Sequence, residues 1–138
     1  MKKIGLDVGD KRIGIAVSDM LCMIASARES YVRKDEDTDL KYFAELAKAE
    51  GADAFVLGLP KNMDGTEGPR AVLTREFGDK LQSASGIKVI YQDERLSTVA
   101  AERMLISADV RRDKRKKVID KVAAAIILQN FLDGPLNR

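Results

Sequence analysis

Residues 1–19 read MKKIGLDVGDKRIGIAVSD and contain two runs in which apolar and small residues alternate. Because successive side chains of a β-strand point to opposite faces, each run predicts a strand with one apolar face and one small face. The apolar face comprises Ile4, Leu6, Val8, Ile13, Ile15 and Val17, and the small face comprises Gly5, Gly9, Gly14, Ala16 and Ser18. Asp7 is the one carboxylate among the small residues, and glycines in a strand often mark the close approach of a ligand or another backbone. The pattern favours a functional Asp7; the alternative is a plain hairpin in which Asp7 pairs with Lys11 or Arg12.

The composition is that of an ordinary globular protein. The chain has 138 residues, of which 45% are apolar and 33% are charged. We expect one domain over residues 1–138 with a core of its own. No apolar run is long enough to span a bilayer and the charged first strand is unlike a signal peptide, so we expect a cytoplasmic protein with no membrane partner.

The available side chains restrict the chemistry. The chain has no histidine and one cysteine, Cys22. Ser-His-Asp and Cys-His catalysis, histidine metal sites, an internal disulfide and cysteine-built zinc sites are therefore excluded. Acid–base or metal chemistry must rest on carboxylates, which suit hard cations such as Mg²⁺ or Mn²⁺.

The remainder of the chain predicts a third strand followed by alternating helices and strands. The expected elements are a strand over 28–33, a helix from the 34–38 link to Gly51, a strand over 53–59, a helix from Pro69 to Gly86 with an apolar stripe of Val72, Leu73, Phe77 and Leu81, a buried strand over 87–91, a helix starting at Ser97 or Thr98, and a helix over 117–132. This order predicts an α/β fold with a mixed five-stranded sheet, antiparallel over strands 1–3 and flanked by helices.

Two acids follow the last predicted strand. Asp93 and Glu94 come at its carboxyl end, where ligands gather in such sheets. Strand alternation puts Glu94 on the same face as Ile90, and Asp93 on the same face as Tyr91. We expect Glu94 to face the site; the alternative is a helix-capping Asp93 and a surface pair of Glu94 with Arg95.

A further acid begins an apolar stripe on the final helix. Asp120, Ala124, Ile127 and Phe131 follow one another at spacings of four, three and four residues. A buried aspartate is costly unless it is paired, hydrogen-bonded or bound to a metal. A salt bridge to a neighbouring lysine of the same helix is the alternative to a metal.

Taken together, Asp7, Glu94 and Asp120 predict an all-carboxylate pocket for one or two divalent cations. Without a cation these groups would repel one another. Metal ions held in this way can activate a water molecule and stabilise the leaving oxygen of a phosphodiester.

A basic run precedes the helix that contains Asp120. Its basic residues are Arg111, Arg112, Lys114, Arg115, Lys116 and Lys117. Such a run predicts salt-dependent, sequence-independent binding of a phosphate backbone. The alternative is an ordinary solvated segment, because the net charge of +2 does not by itself indicate a nucleic-acid partner.

Four motifs of the chain resemble, in order, those of the YqgF/RuvX family of bacterial RNase H-like proteins. They are LDVGDKRIGIAVSD, GLPKNMDGTEGPRA, DERLSTVAAERML and KKVIDKVAAAIILQNFL. The resemblance spans essentially the whole chain and includes every acidic position of the predicted pocket. The family is described as Holliday junction resolvases and as nucleases that mature the 5′ end of pre-16S rRNA.

The resemblance implies an RNase H-like fold and an Mg²⁺ or Mn²⁺ site at Asp7, Glu94 and Asp120. It also implies that the loop from Gly58 to Gly68 and Arg95 border the substrate channel. The loop residues concerned are Asn62, Asp64, Gly65, Thr66, Glu67 and Gly68, and the further nucleic-acid contacts predicted are Lys11, Arg12, Arg95 and the basic run. The alternative for the loop is a structural turn in which Asp64 and Thr66 satisfy their own backbone.

These observations lead to one preferred function and two alternatives. The preferred interpretation is a metal-dependent endonuclease that processes the 5′ end of pre-16S rRNA in ribosome biogenesis, with ribosomal precursor particles as partners and a monomer or weak homodimer as its state. A Holliday junction resolvase would act on four-way DNA and favour a two-fold dimer. A non-catalytic nucleic-acid-binding factor would keep the acids for structure alone.

Overall fold

Five strands and three helices make up the described part of the chain. The computed structural model describes residues 1–61, 64–93 and 112–134, with the backbone alone described for 112–121. The strands are β1 (Lys2–Val8), β2 (Arg12–Ser18), β3 (Ala25–Val32), β4 (Ala52–Leu59) and β5 (Lys88–Asp93). The helices are α1 (Glu36–Glu50), α2 (Pro69–Ser85) and α3 (Arg112–Asp133). The helix predicted to start at Ser97 or Thr98 lies outside the described residues.

The strands form one mixed sheet in the order β3-β2-β1-β4-β5. β2 pairs antiparallel with both β1 and β3, whereas β4 pairs parallel with both β1 and β5. The predicted mixed α/β sheet is therefore confirmed. β1 is the central strand of the sheet. Because β1 and β4 are parallel neighbours, their carboxyl ends lie side by side at the same end of the strands.

One face of the sheet packs against α1 and α2 through large side chains. The predicted apolar face of the first two strands is buried there, with Phe43 of α1 and Phe77 of α2 in the same cluster. The buried strand residues are Ile4, Leu6, Ile13, Ile15, Val17, Phe55 and Leu57. The alternation predicted for residues 1–19 is thus confirmed on its apolar side.

The opposite face packs against α3 through small residues. Ala16 and Val56 of the sheet join Ala124 and Leu128 of α3 in a second buried cluster. A Cβ atom at Gly5 would lie 2.7 Å from Leu128 Cβ and 3.0 Å from the carbonyl oxygen of Ala124. The close approach that a strand glycine indicates is confirmed at Gly5, and the approaching group is the backbone of α3.

Local signals set the helix ends as expected. Asp35 caps α1 by accepting a hydrogen bond of 2.8 Å from the backbone N–H of Thr38, and Gly51 ends that helix with a φ of 67°. Pro69 occupies the first turn of α2, and Gly86 ends it with a φ of 70°. Both glycines adopt the left-handed conformation that other residues disfavour.

The predicted apolar stripe of α2 is wrong in part. Val72 and Leu73 are 50% and 55% exposed. The buried residues of the helix are Ala71, Thr74, Phe77, Gly78 and Leu81. Small and polar positions form part of the buried face because the ring of Tyr91 from β5 lies against Gly78, and the Thr74 hydroxyl donates to the Arg70 carbonyl within the helix.

Three other predicted elements differ from the observed ones. β3 begins at Ala25 because its ladder with β2 extends to Ser18. β5 is an edge strand, so it is half-exposed along its middle and does not have two buried faces. α3 begins at Arg112, five residues before the prediction, because lysine and arginine are good helix formers. None of the described helices is long and apolar enough to cross a membrane.

Replacing Gly5 by Ala is expected to destabilise the protein by about 1–3 kcal/mol, because the new methyl group overlaps Leu128 and pushes α3 off the sheet. Equilibrium urea unfolding measures the difference. Ser26→Ala on the exposed edge strand β3 is the control and should stay within about 0.5 kcal/mol of the parent. A Gly5→Ala protein as stable as the parent would contradict the close approach of α3.

Candidate active site

Asp7 lies one residue before the end of β1 and is half-buried. It is opposite Gly14 of β2 in the antiparallel ladder. Strand alternation places Asp7 on the same face as Gly5, which is the face that α3 covers. The predicted orientation of Asp7 towards the small face is therefore consistent with the packing of its strand.

The turn that follows Asp7 is held by Arg33, at the end of β3. Within the turn, the N–H of Gly9 donates to the carbonyl of Arg12 at 2.9 Å. Arg33 donates from its backbone N–H to the Lys11 carbonyl at 2.9 Å and from Nη1 to the Gly9 carbonyl at 3.0 Å. Its Nε lies 3.3 Å from a carboxylate oxygen of Asp39 in α1.

Asp39 is fully buried and its carboxylate is satisfied by hydrogen bonds. It accepts from the hydroxyl of Tyr31 at 2.8 Å and from the backbone N–H of Lys34 at 2.9 Å. Burial, reinforced by the hydrogen bond to Asp39, raises the pKa of Tyr31 to about 12. Sequence reasoning missed both Arg33 and Asp39, because Asp39 is one of several acids in the first turn of α1 and no pattern distinguishes it.

The loop after β4 contains a turn in which Asp64 and Thr66 are hydrogen-bonded to each other. Asp64 Oδ1 accepts from the backbone N–H of Thr66 at 3.0 Å and from its hydroxyl at 2.6 Å. Gly65 between them has a φ of 89°, which favours glycine. Asp64 and Thr66 thus bond to each other within the turn, as the structural alternative expects, and contact of this loop with a substrate stays a prediction.

Glu67, at the end of the same loop, is bound to α2. Arg75 contacts both of its carboxylate oxygens, at 2.6 Å and 2.9 Å. This hydrogen-bonded guanidinium holds the pKa of Glu67 below its usual range. Glu67 also forms an isolated β-bridge with Lys61 across the loop. Sequence reasoning did not identify Arg75, which lies in α2 eight residues beyond Glu67.

The remaining predicted acids are Asp93 and Glu94, at and just after the end of β5, and Asp120, within α3. Asp93 ends β5 opposite Leu59 of β4, and its carboxylate lies 3.9 Å from Lys61 Nζ. Glu94 lies outside the described residues. Asp120 lies in the part of α3 for which the backbone alone is described, one helical turn before Ala124. Within the described side chains, no group of three or more acids or cysteines could hold a metal ion.

The predicted nucleic-acid contacts lie in two places. Lys11 is exposed in the turn after β1, and Arg12 is half-buried at the start of β2. Five residues of the basic run lie within the first two turns of α3 and not, as expected, in a segment preceding the helix: Arg112, Lys114, Arg115, Lys116 and Lys117. Asn62, Arg95 and Arg111 lie outside the described residues.

A small cleft opens at the end of β1 on the α1/α2 side of the sheet. It is lined by Gly9, Arg33, Arg70 and Phe77, among others, and has a volume of about 100 Å³. Asp7 does not line it. Ligand pockets typically measure several hundred Å³, so this cleft is too small for a nucleotide.

A family model described as "RuvX: Holliday junction resolvase" matches residues 1–134 of the chain. A protein of Symbiobacterium thermophilum is 54% identical over 134 residues, covering 97% of this chain and 93% of its own. A protein of Halothermothrix orenii is 53% identical over 133 residues, covering 96% of this chain and 95% of its own. Both are named "Putative pre-16S rRNA nuclease".

Two solved resolvases share the fold. Thermus thermophilus RuvC in complex with a Holliday junction substrate aligns with a TM-score of 0.54 at 14% identity, covering 96% of this chain and 93% of that one. The fowlpox virus resolvase with its Holliday junction aligns with a TM-score of 0.53 at 15% identity, covering 96% and 97%. The predicted RNase H-like fold class is confirmed.

Replacing Asp39 by Asn is expected to lower the pKa of Tyr31 below about 12, because the negative charge beside the phenol is lost, whereas burial, the larger cause, still raises it. The phenol, with its raised pKa, favours the folded state below about pH 10, and this contribution fades as the pH rises towards 12. The variant should also lose about 1–3 kcal/mol of stability, since a buried hydrogen-bond network is broken.

Absorbance titration of the tyrosines and urea unfolding measure the two effects of Asp39→Asn. Asp37→Asn, on the same turn but exposed, is the matched control and should change neither quantity. Equal pKa values in the two variants would refute the role assigned to Asp39.

Proposed function

The chain belongs to the RuvX family, and we propose that it is a metal-dependent endonuclease that hydrolyses phosphodiester bonds at the 5′ end of pre-16S rRNA. The relatives that share half of its residues bear the name of a pre-16S rRNA nuclease. The observation that best supports a nuclease is the contact of Gly5 in β1 with Ala124 and Leu128 of α3, from which we infer that the turn containing Asp120 lies towards Asp7.

The direction of α3 over the sheet supports this register. Gln129 contacts the start of β3 and the loop before it, accepting from the Ala25 N–H at 2.9 Å and donating to the Met23 carbonyl at 3.0 Å. Ala25 pairs with Ser18, whose hydroxyl accepts from the N–H of Lys3 near the amino end of β1. Position 129 of α3 is therefore near the beginning of β1, and lower residue numbers lie towards its end.

The spacing along the two elements also agrees. A Cβ atom at Gly5 would lie between the carbonyl oxygen of Ala124, at 3.0 Å, and the Cβ of Leu128, at 2.7 Å. The four residues from Ala124 back to Asp120 cover about 6 Å of α3, and the two strand residues from Gly5 to Asp7 cover about 6.7 Å. Asp7 and Asp120 are therefore proposed to face the same small volume.

Glu94 is proposed as the third member on the evidence of its strand. Ile90 packs into the cluster beneath α3, whereas Tyr91 packs into the cluster on the opposite face. If the alternation continues past Asp93, Glu94 points to the face that holds Asp7. Asp93 then lies on the α2 side, in line with its ion pair to Lys61.

These three acids fit a hard divalent cation. The chain has no histidine, and its one cysteine lies in the loop between β2 and β3, at the opposite end of β1 from Asp7. Only oxygen donors are available, and these suit Mg²⁺ or Mn²⁺. When bound, such a cation supplies a lowered pKa for a water molecule and charge compensation for the phosphate.

The residues of the chain have separate roles in this proposal. Asp7 and Asp120 hold the cation, and Glu94 holds it or orients the attacking water. The basic first turns of α3 hold the phosphate backbone, aided by the N–H groups that point out of a helix N-terminus. Lys11 and Arg12 extend this basic surface beside Asp7, and Arg95 and Arg111 are proposed to join it.

The second candidate is a Holliday junction resolvase. It is favoured by the family description and by the fold shared with two junction-cutting enzymes. Two symmetric cuts require two sites related by a two-fold axis, and hence a dimer. A monomer or weak homodimer is the state we propose, which suits the single cut of an RNA end better.

Replacing Asp7 by Asn is expected to reduce cleavage at least about a hundredfold while leaving RNA binding in place, because a cation ligand is removed and the phosphate-binding residues are untouched. The assay uses purified protein, precursor 16S rRNA with its 5′ leader and a four-way DNA junction, with Mg²⁺ or Mn²⁺. Asp10→Asn, an exposed acid three residues further on, is the matched control and should cut like the parent.

The substrates and controls separate the candidate functions. Metal-dependent cutting of the RNA alone supports the proposal, and symmetric cutting of the junction would move the assignment to a resolvase. If the parent and Asp7→Asn bind equally and neither cuts, in the presence of ribosomal precursor particles as well, the chain is a binding factor and the proposed nuclease is wrong.

Replacing both Lys114 and Arg115 by Gln is expected to weaken RNA binding. The double variant should also lower the slope of log K against log salt by roughly 1 for each phosphate that is no longer neutralised. Fluorescence anisotropy in an Asp7→Asn background measures both. The control neutralises Lys41 and Lys48, two exposed lysines of α1, with the same change of charge. Equal reductions in the two pairs would argue for a general charge effect and against a binding surface on α3.

A further inference from the structure

Arg75 joins three segments that are separate in the chain. Its guanidinium contacts both carboxylate oxygens of Glu67 in the loop after β4. The same guanidinium lies over the ring of Tyr91 in β5, 5.0 Å from the ring centroid. Arg75 itself belongs to α2, so one side chain connects a loop, a helix and the edge strand.

Tyr91 is fixed in place against α2. Its hydroxyl lies 3.1 Å from Asp79 Oδ1 and 3.0 Å from the Arg75 carbonyl, both acceptors for its one hydrogen. A Cβ atom at Gly78 would come within 2.9 Å of the Tyr91 ring, so a glycine is needed for the ring to lie this close. Burial, with a further contribution from Asp79, raises the pKa of Tyr91 to about 12.

The two segments fastened by Arg75 border the edge of the sheet where Asp7 lies. Leu59, at the end of β4, is opposite Asp93 at the end of β5, and β4 is also the neighbour of β1. Lys61 pairs with Glu67 across the loop and lies 3.9 Å from the carboxylate of Asp93. The loop and the end of β5 are thus connected to each other as well as to Arg75.

We propose that Arg75 is a positioning residue, which fixes the loop over residues 64–68 and the end of β5 relative to each other beside the Asp7 strand. The inference rests on the proposed nuclease function and adds a residue that acts on its rate. Because both oxygens of Glu67 engage the guanidinium, Arg75 acts through Glu67 and Tyr91 and not by holding the substrate. Glu94 directly follows Asp93, so a displaced strand end would disturb the proposed acidic set.

The matched pair of variants is Arg75→Gln and Lys80→Gln. Lys80 lies on the same helix and forms an ion pair of 2.8 Å with Glu36, which is more exposed than the pair of Arg75 with Glu67 and lies away from the loop and β5. We expect Arg75→Gln to lower kcat for RNA cleavage about tenfold or more with KM within about twofold, since small displacements near a reaction centre cost much of the rate. Lys80→Gln should change neither constant.

Two further variants separate positioning from folding. Arg75→Lys keeps the charge but lacks the planar fork, so it should resemble Arg75→Gln in kcat. The exchanged pair Glu67→Arg with Arg75→Glu should recover part of the missing kcat, since the ion pair is restored in reverse. An unchanged kcat in Arg75→Gln would overturn the proposal. A raised KM at constant kcat would also overturn it, because Arg75 would then be a direct phosphate contact.

Amide hydrogen exchange tests the connection without any substrate. The N–H groups of Thr66 and Glu67 should exchange faster in Arg75→Gln than in the parent and at the parental rate in Lys80→Gln. If the parent cuts no substrate, the proposed function fails, and the exchange rates alone then decide whether Arg75 holds the loop. Unchanged exchange at both amides would overturn the proposal independently of any activity.

Discussion

The approach of α3 to β1 at Gly5 is the contact on which the candidate site depends. A Cβ atom added at Gly5 would lie only 2.7 Å from the Cβ of Leu128, so no side chain at this position fits between the helix and the strand. The contact also sets which turn of α3 lies near Asp7. A slip of the helix by one turn would move its residues by about 5.4 Å, which exceeds the roughly 3.5–4 Å between paired metal ions in nucleases. A carboxylate site shared between β1 and α3 therefore needs this small-residue interface.

We assign different roles to the two faces of the sheet: one stabilises the fold, and the other contains the candidate site. The face towards α1 and α2 forms the larger of the two buried clusters, which includes Phe43, Phe55 and Phe77. On the face towards α3, the sheet contributes small residues such as Gly5 and Ala16, and the helix contributes larger ones such as Phe131. The hydrogen bonds of buried Asp39 lie on the side of the sheet that faces α1 and α2. Arg33 connects Asp39 to the turn after Asp7. The strand with the candidate catalytic acid is therefore held from the stable side and leaves its other side to α3.

Features set by local rules could be predicted from the sequence, and features set by the angles between elements could not. Alternation in residues 1–19 correctly separated the two faces, and Pro69, Gly51 and Gly86 marked helix ends through their own backbone preferences. The exposed Val72 and Leu73 depend on how α2 is rotated against β5, and the contact of Arg75 with Glu67 depends on how the loop enters α2. The apolar periodicity of the sequence determines neither the rotation of α2 against β5 nor the path of the loop into α2. The predicted face of Asp7 is consistent with the packing of its strand, and the meeting of Asp7, Glu94 and Asp120 stays a prediction.

The charges at the helix N-termini of this chain show where a stability rule is broken. α1 begins with Asp35 as its cap and Glu36, Asp37 and Asp39 in its first turn, as the positive end of a helix dipole favours. α3 begins with the opposite charges, since five of its first six residues are basic. Each cation there opposes the dipole, so the arrangement weakens the helix when nothing is bound. Violations of a local rule concentrate at functional sites, and a phosphate backbone at this helix end would reverse the sign of the interaction for every one of these residues. In the proposed function, the same helix brings phosphates to the turn that contains Asp120, which is the coupling that a nuclease requires between holding its substrate and cutting it.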